Sequence, residues 1–219
     1  MKLCMFTPLE LDLERGWPGK IERDRVIQVA AQTLQAFFSG GGTAREHAEY
    51  PLEEVRLRAP VLRPPSIRVF DGPDFRFANP ASVYGPDDEI PFPEGADSIE
   101  SELRVAAVIG GDEGIGGFTI ANDWIASSLS GTKARDFAIS LGPVVVTPDE
   151  LVSESISWDE LVAGARRNTR LLPGDVIAAD GASGGRTLGP GDVVELEVDG
   201  IGVLRNRIGE RLEQPASRT

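Results

Sequence analysis

The chain has 219 residues, of which 41% are hydrophobic and 26% are charged, and its formal net charge is −13. This composition is that of an ordinary globular protein with one large domain, or with one domain and a small module. The acidic balance argues against nucleic acid and against an anionic membrane surface as partners, because no basic stretch offsets it. No apolar run approaches the roughly 20 residues that a membrane helix needs. The first residues lack the apolar core of a secretion signal, so we expect a cytoplasmic protein.

Two chemically reactive residue types are scarce. Cys4 is the single cysteine, which excludes an internal disulfide and a metal site built from thiolates alone. His47 is the single histidine, which excludes any mechanism that needs two imidazoles. His47 lies between a glycine run and acidic neighbours, and a lone histidine in such a setting is usually a solvated surface residue.

The first 58 residues have the pattern of a small module. Residues 20–38 begin like a strand and continue like a helix, with Leu34, Phe37 and Phe38 on a helical spacing. The glycines that follow should end this helix. Prolines then punctuate an extended stretch and mark a linker. We therefore expect a small N-terminal domain over residues 1–58 and the main body over residues 59–219.

Short strands and turns dominate the main body. Strand patterns, β-branched and bounded by glycine or proline, fall on residues 104–110, 117–123, 142–148, 173–180 and 190–208. Residues 158–168 have the clearest helical pattern of this half. The sequence therefore predicts a β-rich α+β fold.

Two glutamates stand at the beginning of the first of these strands. Alternate side chains of a strand share a face, so Glu100 and Glu102 should point the same way. Two like charges beside a segment that is built for burial repel each other and are costly to desolvate. We therefore expect a cation between them, or water that reaches both.

Six segments, in this order and spacing, together resemble the fumarylacetoacetate hydrolase family. They are NPASVYGPDDEIPFP (79–93), ESELRVAAVIG (100–110), GGFTIANDW (116–124), DFAISLGPVVVTPDEL (136–151), LLPGDVI (171–177) and LGPGDVVELEVDGIGVLRNRI (188–208). The resemblance covers about residues 60–209, and the first residues resemble the family's small leading domain. It implies a fumarylacetoacetase-type mixed β-roll body with a small N-terminal α/β domain, a homodimer, and reactions on small 2-oxo or 1,3-dioxo acids.

The resemblance also implies a metal site. In the family, two glutamates of a Glu-x-Glu sequence and the aspartate of an Asn-Asp pair bind a divalent ion, and these positions are Glu100, Glu102 and Asp123 here. Three convergent carboxylates suit a hard cation, so Mg²⁺ is the expected cofactor, with Mn²⁺ or Ca²⁺ as alternatives. For an isolated Glu-x-Glu sequence, solvated acids at a strand end would be the better interpretation; the matching Asn-Asp-Trp sequence favours the metal.

The residues expected to contact the substrate depart from the family pattern. Ser127 stands where the family has a substrate arginine, and Ser130 stands where it has a glutamine. The family's active-site lysine aligns with Arg135, or with Lys133 if the loop slips by two residues, so these two are our candidate catalytic cations. Arg135 is also a candidate for binding a substrate carboxylate. Ser183 is the hydroxyl nearest to a position where the family has a threonine.

A further departure removes groups that larger relatives use. Val69 takes the place of a fourth metal-binding aspartate, and the stretch that carries a catalytic histidine is deleted. Asp71 and Asp74 are the candidates to replace this aspartate, but the spacing supports neither strongly.

Three hypotheses follow from these matches and losses. The first is an enzyme of altered specificity that hydrolyses or decarboxylates a small oxo acid through a metal-stabilised enolate. The second is a hydrolase or isomerase that uses another base. The third is a catalytically degenerate relative that serves as a metal-binding structural or partner subunit.

Overall fold

Strands make up most of the chain in the computed structural model, which describes residues 1–11, 13–41, 43–151, 156–179, 181–183 and 186–211. The strands are β1 (Lys2–Pro8), β2 (Trp17–Glu22), β3 (Arg25–Ala30), β4 (Thr43–Pro51), β5 (Val55–Arg58), β6 (Ile67–Asp71), β7 (Asp74–Ala78), β8 (Val83–Tyr84), β9 (Glu89–Phe92), β10 (Glu100–Ile109), β11 (Ile115–Ile125), β12 (Ile139–Val146), β13 (Val176–Ala178), β14 (Ala182–Ser183), β15 (Val193–Val198) and β16 (Gly202–Arg211). The α-helices are α1 (Leu34–Ala36) and α2 (Trp158–Arg166). Single turns of other helix types cover Phe37–Gly41, Leu52–Glu54, Gly111–Glu113 and Gly131–Ala134.

One large mixed sheet contains thirteen of the described strands. Its path runs β4-β3-β2-β1-β12-β11-β10-β13-β6-β7, with β14 beside β10, β5 beside β1 and β8 beside β12. Most neighbours are antiparallel, whereas β13 with β6 and β12 with β8 are parallel. The strands β15, β16 and β9 form a second sheet. The prediction of a β-rich fold with mixed sheets is therefore confirmed.

The N-terminal strands continue the sheet of the main body. Leu3 of β1 pairs with Val145 of β12. Cys4 and Phe6 are fully buried and belong to the same apolar core cluster as Ile120 of β11. Burying these side chains against the body is favourable because apolar surface is removed from water. The domain division at residue 58 stays a prediction.

The helices differ in how well the sequence pattern anticipated them. The helix α2 (Trp158–Arg166) forms where the pattern of residues 158–168 predicted it. The segment 20–38 instead folds mainly as the hairpin of β2 and β3, and its helix is the single turn α1. The side chain of Thr33 accepts a hydrogen bond from the backbone of Ala36 and so caps α1. The turn that follows ends near Gly40, whose φ of 75° favours glycine.

The hairpin of β10 and β11 is the element that positions the expected site. Glu102 of β10 lies directly opposite Asp123 of β11. Trp124 follows Asp123 and therefore points to the other face, where its indole nitrogen donates a hydrogen bond of 2.9 Å to the hydroxyl of Ser140. Trp124 is fully buried, so the site stands on a packed apolar layer. No helix in the described part of the chain is both long and apolar enough for a membrane span.

Cys4 provides a test of this packing. Burial raises the pKa of the Cys4 thiol to about 12, and the thiolate is the reactive form of cysteine. We expect the native thiol to resist DTNB at about pH 8, close to the ordinary thiol pKa of about 8.5. One thiol per chain should react after unfolding in guanidinium chloride, as absorbance of the released thiolate will show. Fast labelling of the native protein would mean that β1 is not packed as described.

Candidate functional site

The carboxylates that the sequence singled out lie on one face of the β10–β11 hairpin. Glu100 and Glu102 are two residues apart on β10, and Asp123 is the cross-strand partner of Glu102. The side chain of Asp123 is 1% exposed and that of Glu102 is 16% exposed. Such buried carboxylates need a compensating positive charge.

Arg104 supplies that charge from the same strand. It follows Glu102 by two residues, so its side chain shares the face of the two glutamates. Nη2 of Arg104 donates to Oε2 of Glu102 at 2.7 Å and to Oδ1 of Asp71 at 2.8 Å. Nε of Arg104 lies 3.3 Å from Oδ2 of Asp123. A single guanidinium therefore contacts the carboxylates of three strands.

Backbone groups complete the surroundings of Arg104, whose side chain is 2% exposed. Its Nη1 donates to the carbonyl oxygen of Phe70 at 2.7 Å and to that of Ala179 at 3.1 Å. Gly181 packs against the side chain, since a Cβ at Gly181 would lie 2.9 Å from Cγ of Arg104 and 3.1 Å from Cζ. The fold thus provides both the acceptors and the space for an arginine at this position.

Two further arginines approach the same carboxylates from the solvent side. Nη1 of Arg135 donates to Oδ2 of Asp123 at 2.6 Å and to Oε2 of Glu102 at 3.2 Å. Nη2 of Arg76, from β7, donates to the same oxygen of Asp123. The side chains of Arg135 and Arg76 are 29% and 28% exposed, and both line a cavity of about 280 Å³. Within the described residues, three guanidinium groups therefore meet at Asp123.

The charges of this cluster reinforce one another. Burial raises the pKa of Glu102, but hydrogen bonds from Arg135 and Arg104 and the attraction of both charges outweigh burial, so the pKa of Glu102 lies below its ordinary value. Burial lowers the pKa of Arg104, but its hydrogen bonds to Asp71 and Glu102, together with the attraction of Asp123 and Asp71, outweigh burial and raise the pKa. Glu102 and Arg104 are both charged at neutral pH.

The other predicted cation and one predicted hydroxyl take different positions. Lys133 points away from the cluster, because its side chain is 77% exposed and its Nζ lies 2.8 Å from Oδ2 of Asp136. Ser127 is exposed, and its hydroxyl donates to Oε1 of Glu100 at 2.6 Å. Of the two candidate cations, Arg135 is the one beside the carboxylates.

The remaining candidates lie around or away from the cluster. Ser130 is exposed at the start of the turn Gly131–Ala134. Ser183 lies on β14, where its backbone is in register with Glu102. His47 is exposed on β4, at the edge of the large sheet and six places along the strand order from β10. The roles predicted for the serines stay predictions.

Arg104 and Arg76 belong to the charged cluster but were not among the residues predicted from the sequence. Arg104 had a local signal, since it is the next residue on the face of Glu100 and Glu102 in a period-two pattern. Arg76 had none, because β7 is separated from β11 by several strands of the sheet path and reaches Asp123 only through the fold.

The cluster has only some of the features of a site for the divalent ion that the resemblance implies. The oxygen donors have the right chemistry, and the buried Oδ1 of Asp123 has no hydrogen-bond partner among the described residues. No group of three or more His, Cys, Asp or Glu side chains in the described part of the chain lies close enough together to hold a metal. Guanidinium groups contact Glu102 and the other oxygen of Asp123. As placed, these residues do not fit the ion, and the assignment of Glu100, Glu102 and Asp123 as metal ligands stays a prediction.

Comparison with known proteins finds a family match over most of the chain. The sequence model described as "Fumarylacetoacetate (FAA) hydrolase C-terminal" matches residues 46–161 and 153–209. These two ranges contain all six segments that were singled out from the sequence.

Individual relatives agree with this match over nearly their whole length. A rat protein named oxaloacetate tautomerase Fahd2a, mitochondrial, is 24% identical over 95% of this chain and 91% of its own. The maleylpyruvate hydrolase of Sphingobium sp. SYK-6, solved with manganese(II) and pyruvate, has a TM-score of 0.75 at 18% identity and covers 97% of this chain and 100% of that one. A 2-keto-3-deoxy-D-arabinonate dehydratase, solved with magnesium and 2,5-dioxopentanoate, has a TM-score of 0.74 at 16% identity with coverage of 97% and 100%. Divalent metals therefore accompany this fold in solved relatives.

The charged cluster predicts a pH dependence of stability that belongs to Glu102. Its native pKa is lower than the 4.5 of the free side chain, so its stabilisation is present above pH 4.5 and is lost as the pH falls through the native pKa. We expect Glu102→Gln to lower the free energy of unfolding at neutral pH, and the difference from the wild type to shrink in acid. Urea unfolding from about pH 7 to about pH 3 measures this difference.

The control is Glu53→Gln, because Glu53 is exposed on a single helical turn. Its stability difference from the wild type should stay small at every pH. A Glu102→Gln difference that does not change with pH would contradict the account of the cluster.

Proposed function

Because the chain belongs to the fumarylacetoacetate hydrolase family, we propose that it is an enzyme that acts on a small 2-oxo or 1,3-dioxo acid. The observation that carries this proposal is the convergence of Arg135 and Arg76 on the buried Asp123, with both side chains partly open to a cavity. Planar guanidinium groups bind carboxylates through two parallel hydrogen bonds. A cavity of about 280 Å³ suits a small acid.

The same arginines support chemistry through an enolate. When the carbon adjacent to the carbonyl carbon of an oxo acid loses a proton, or loses CO₂ from a second carboxylate that it carries, the electron pair of the broken bond forms an enolate with its charge on the carbonyl oxygen. N–H donors that are already held in place stabilise this developing charge with little reorganisation. Keto–enol isomerisation, decarboxylation and C–C hydrolysis all pass through such an intermediate, so the proposal covers these three reactions.

The relatives support this substrate class. The name of the rat relative refers to oxaloacetate, and the two solved relatives were crystallised with pyruvate and with 2,5-dioxopentanoate. Their Mn²⁺ and Mg²⁺ support a divalent metal as a cofactor of such enzymes. In this chain the proposed contacts with the substrate are those of Arg135 and Arg76.

Arg135 is the residue that we propose as the substrate anchor. We expect Arg135→Ala to raise KM for the preferred oxo acid roughly tenfold to a hundredfold, because a charge-assisted hydrogen bond worth about 1.5–3 kcal/mol is lost. Turnover of a panel of 2-oxo and 1,3-dioxo acids, followed by ultraviolet absorbance and product NMR, identifies the substrate and then measures KM and kcat.

Lys133→Ala is the matched control, since Lys133 is two residues away and its charge faces Asp136. Its KM should equal that of the wild type. A wild-type chain without turnover of any acid in the panel would favour the degenerate subunit instead. An unchanged KM in Arg135→Ala would show that the anchor lies elsewhere.

A further inference from the structure

We propose that the guanidinium of Arg104 takes the place of a divalent metal ion at the centre formed by Glu102 and Asp123. The cation at this centre is then a side chain of the protein itself, and Glu102 and Asp123 of the wild type do not bind Mg²⁺ or Mn²⁺. Only the consequence for catalysis, given below, rests on the proposed function.

The strand register places Arg104 beside Glu102 and Asp123. Its cross-strand partner is Ala121, next to the pair formed by Glu102 and Asp123 on the same face of the hairpin. The small side chain of Ala121 leaves the space above β11 to the arginine. The cation therefore lies between the carboxylates because of the strand register itself and does not depend on the position of a loop.

The groups around Arg104 match a guanidinium in both hydrogen bonding and shape. Its two terminal nitrogens make four hydrogen bonds of 2.7 to 3.1 Å, and two of the acceptors are the backbone carbonyls of Phe70 and Ala179. These carbonyls lie on different segments and both face Nη1. Gly181 adds the missing wall, since any Cβ there would collide with the arginine side chain.

Charge also opposes a divalent ion at this centre. The carboxylates of Glu102, Asp123 and Asp71 each already contact at least one guanidinium group of Arg104, Arg135 or Arg76. A divalent ion beside Glu102 and Asp123 would stand against these positive charges in a buried place, where like charges repel strongly.

Arg104 differs from the other two arginines in its burial. Arg135 and Arg76 are almost one-third exposed, so solvent partly screens their charges and they oppose an ion less strongly. Arg104 is 2% exposed and bonded to two backbone carbonyls, so its departure would leave those acceptors and its own charge without partners. Among these three arginines, Arg104 is therefore the main barrier to an ion.

The consequence for catalysis is that the chain activates its substrate by N–H donation. A guanidinium keeps its proton at all working pH values and cannot form the coordinate bonds of a Lewis acid. Arg135 and Arg76, which line the cavity, can instead hold an oxo acid's developing oxyanion by hydrogen bonds. Turnover by the wild type should accordingly survive treatment with EDTA.

Mn²⁺ binding tests the proposal directly and does not depend on activity. Electron paramagnetic resonance of free Mn²⁺ and isothermal titration calorimetry measure the binding. We expect Glu102→Gln to bind Mn²⁺ no less than the wild type does, because Glu102 does not hold the ion in the wild type. Arg104→Gln keeps amide donors for the carbonyls but removes the charge. This variant should bind Mn²⁺ roughly a hundredfold more tightly or better, because one buried positive charge is gone. The double variant with Glu102→Gln should lose the gain.

Arg76→Gln and Arg135→Gln are the matched controls, because they remove the same charge at the partly exposed positions and should raise the Mn²⁺ affinity much less than Arg104→Gln does. Wild-type Mn²⁺ binding that Glu102→Gln abolishes would overturn the proposal, as would a folded Arg104→Gln chain with no gain. If Arg104→Gln does not fold, as circular dichroism will report, the wild-type measurement decides alone. A wild type that turns over no oxo acid would count against the proposed function, whereas the Mn²⁺ binding measurement would still test the role of Arg104.

Discussion

The contact of the Arg104 guanidinium with Glu102 and Asp123 is the interaction on which the site depends. The two carboxylates are cross-strand partners, and Asp123 is almost completely buried. Two such negative charges side by side would oppose folding unless a cation lay between them. Because Arg104 also bonds to the carbonyls of Phe70 and Ala179, it ties the β10–β11 hairpin to β6 and to the segment after β13.

Arg135 and Arg76 in turn depend on the position of Asp123. Arg135 and Arg76 come from different parts of the fold and are oriented by a shared acceptor, Oδ2 of Asp123. Asp123 therefore holds two partly exposed guanidinium groups at the edge of the cavity. A buried charge network of this kind contributes less to net stability than to geometry, because desolvation offsets much of its attraction. Its role in the proposed function is to keep N–H donors fixed where an acid substrate would bind.

The sequence predicted the β-rich fold and the shared face of Glu100 and Glu102, but it did not reveal Arg104 or Arg76. Period-two alternation placed Glu100 and Glu102 on one face and required a cation or water beside them, and the family resemblance supplied the β-rich fold. The sequence predicts a metal as this cation, which stays a prediction, and it did not reveal Arg104, which continues the same alternation. Arg76 could not be found, because its contact with Asp123 is set by the strand order of the sheet. The helix expected before residue 38 shrank to α1, since β2 and β3 pair as a hairpin within the same segment.

Anomalous diffraction from wild-type crystals grown with Mn²⁺ and a small 2-oxo acid tests the central claim most directly. The account predicts the guanidinium of Arg104 between Glu102 and Asp123, no manganese peak at these carboxylates, and the acid's carboxylate against Arg135. A manganese peak coordinated by Glu100, Glu102 and Asp123, with Arg104 displaced from between them, would contradict it.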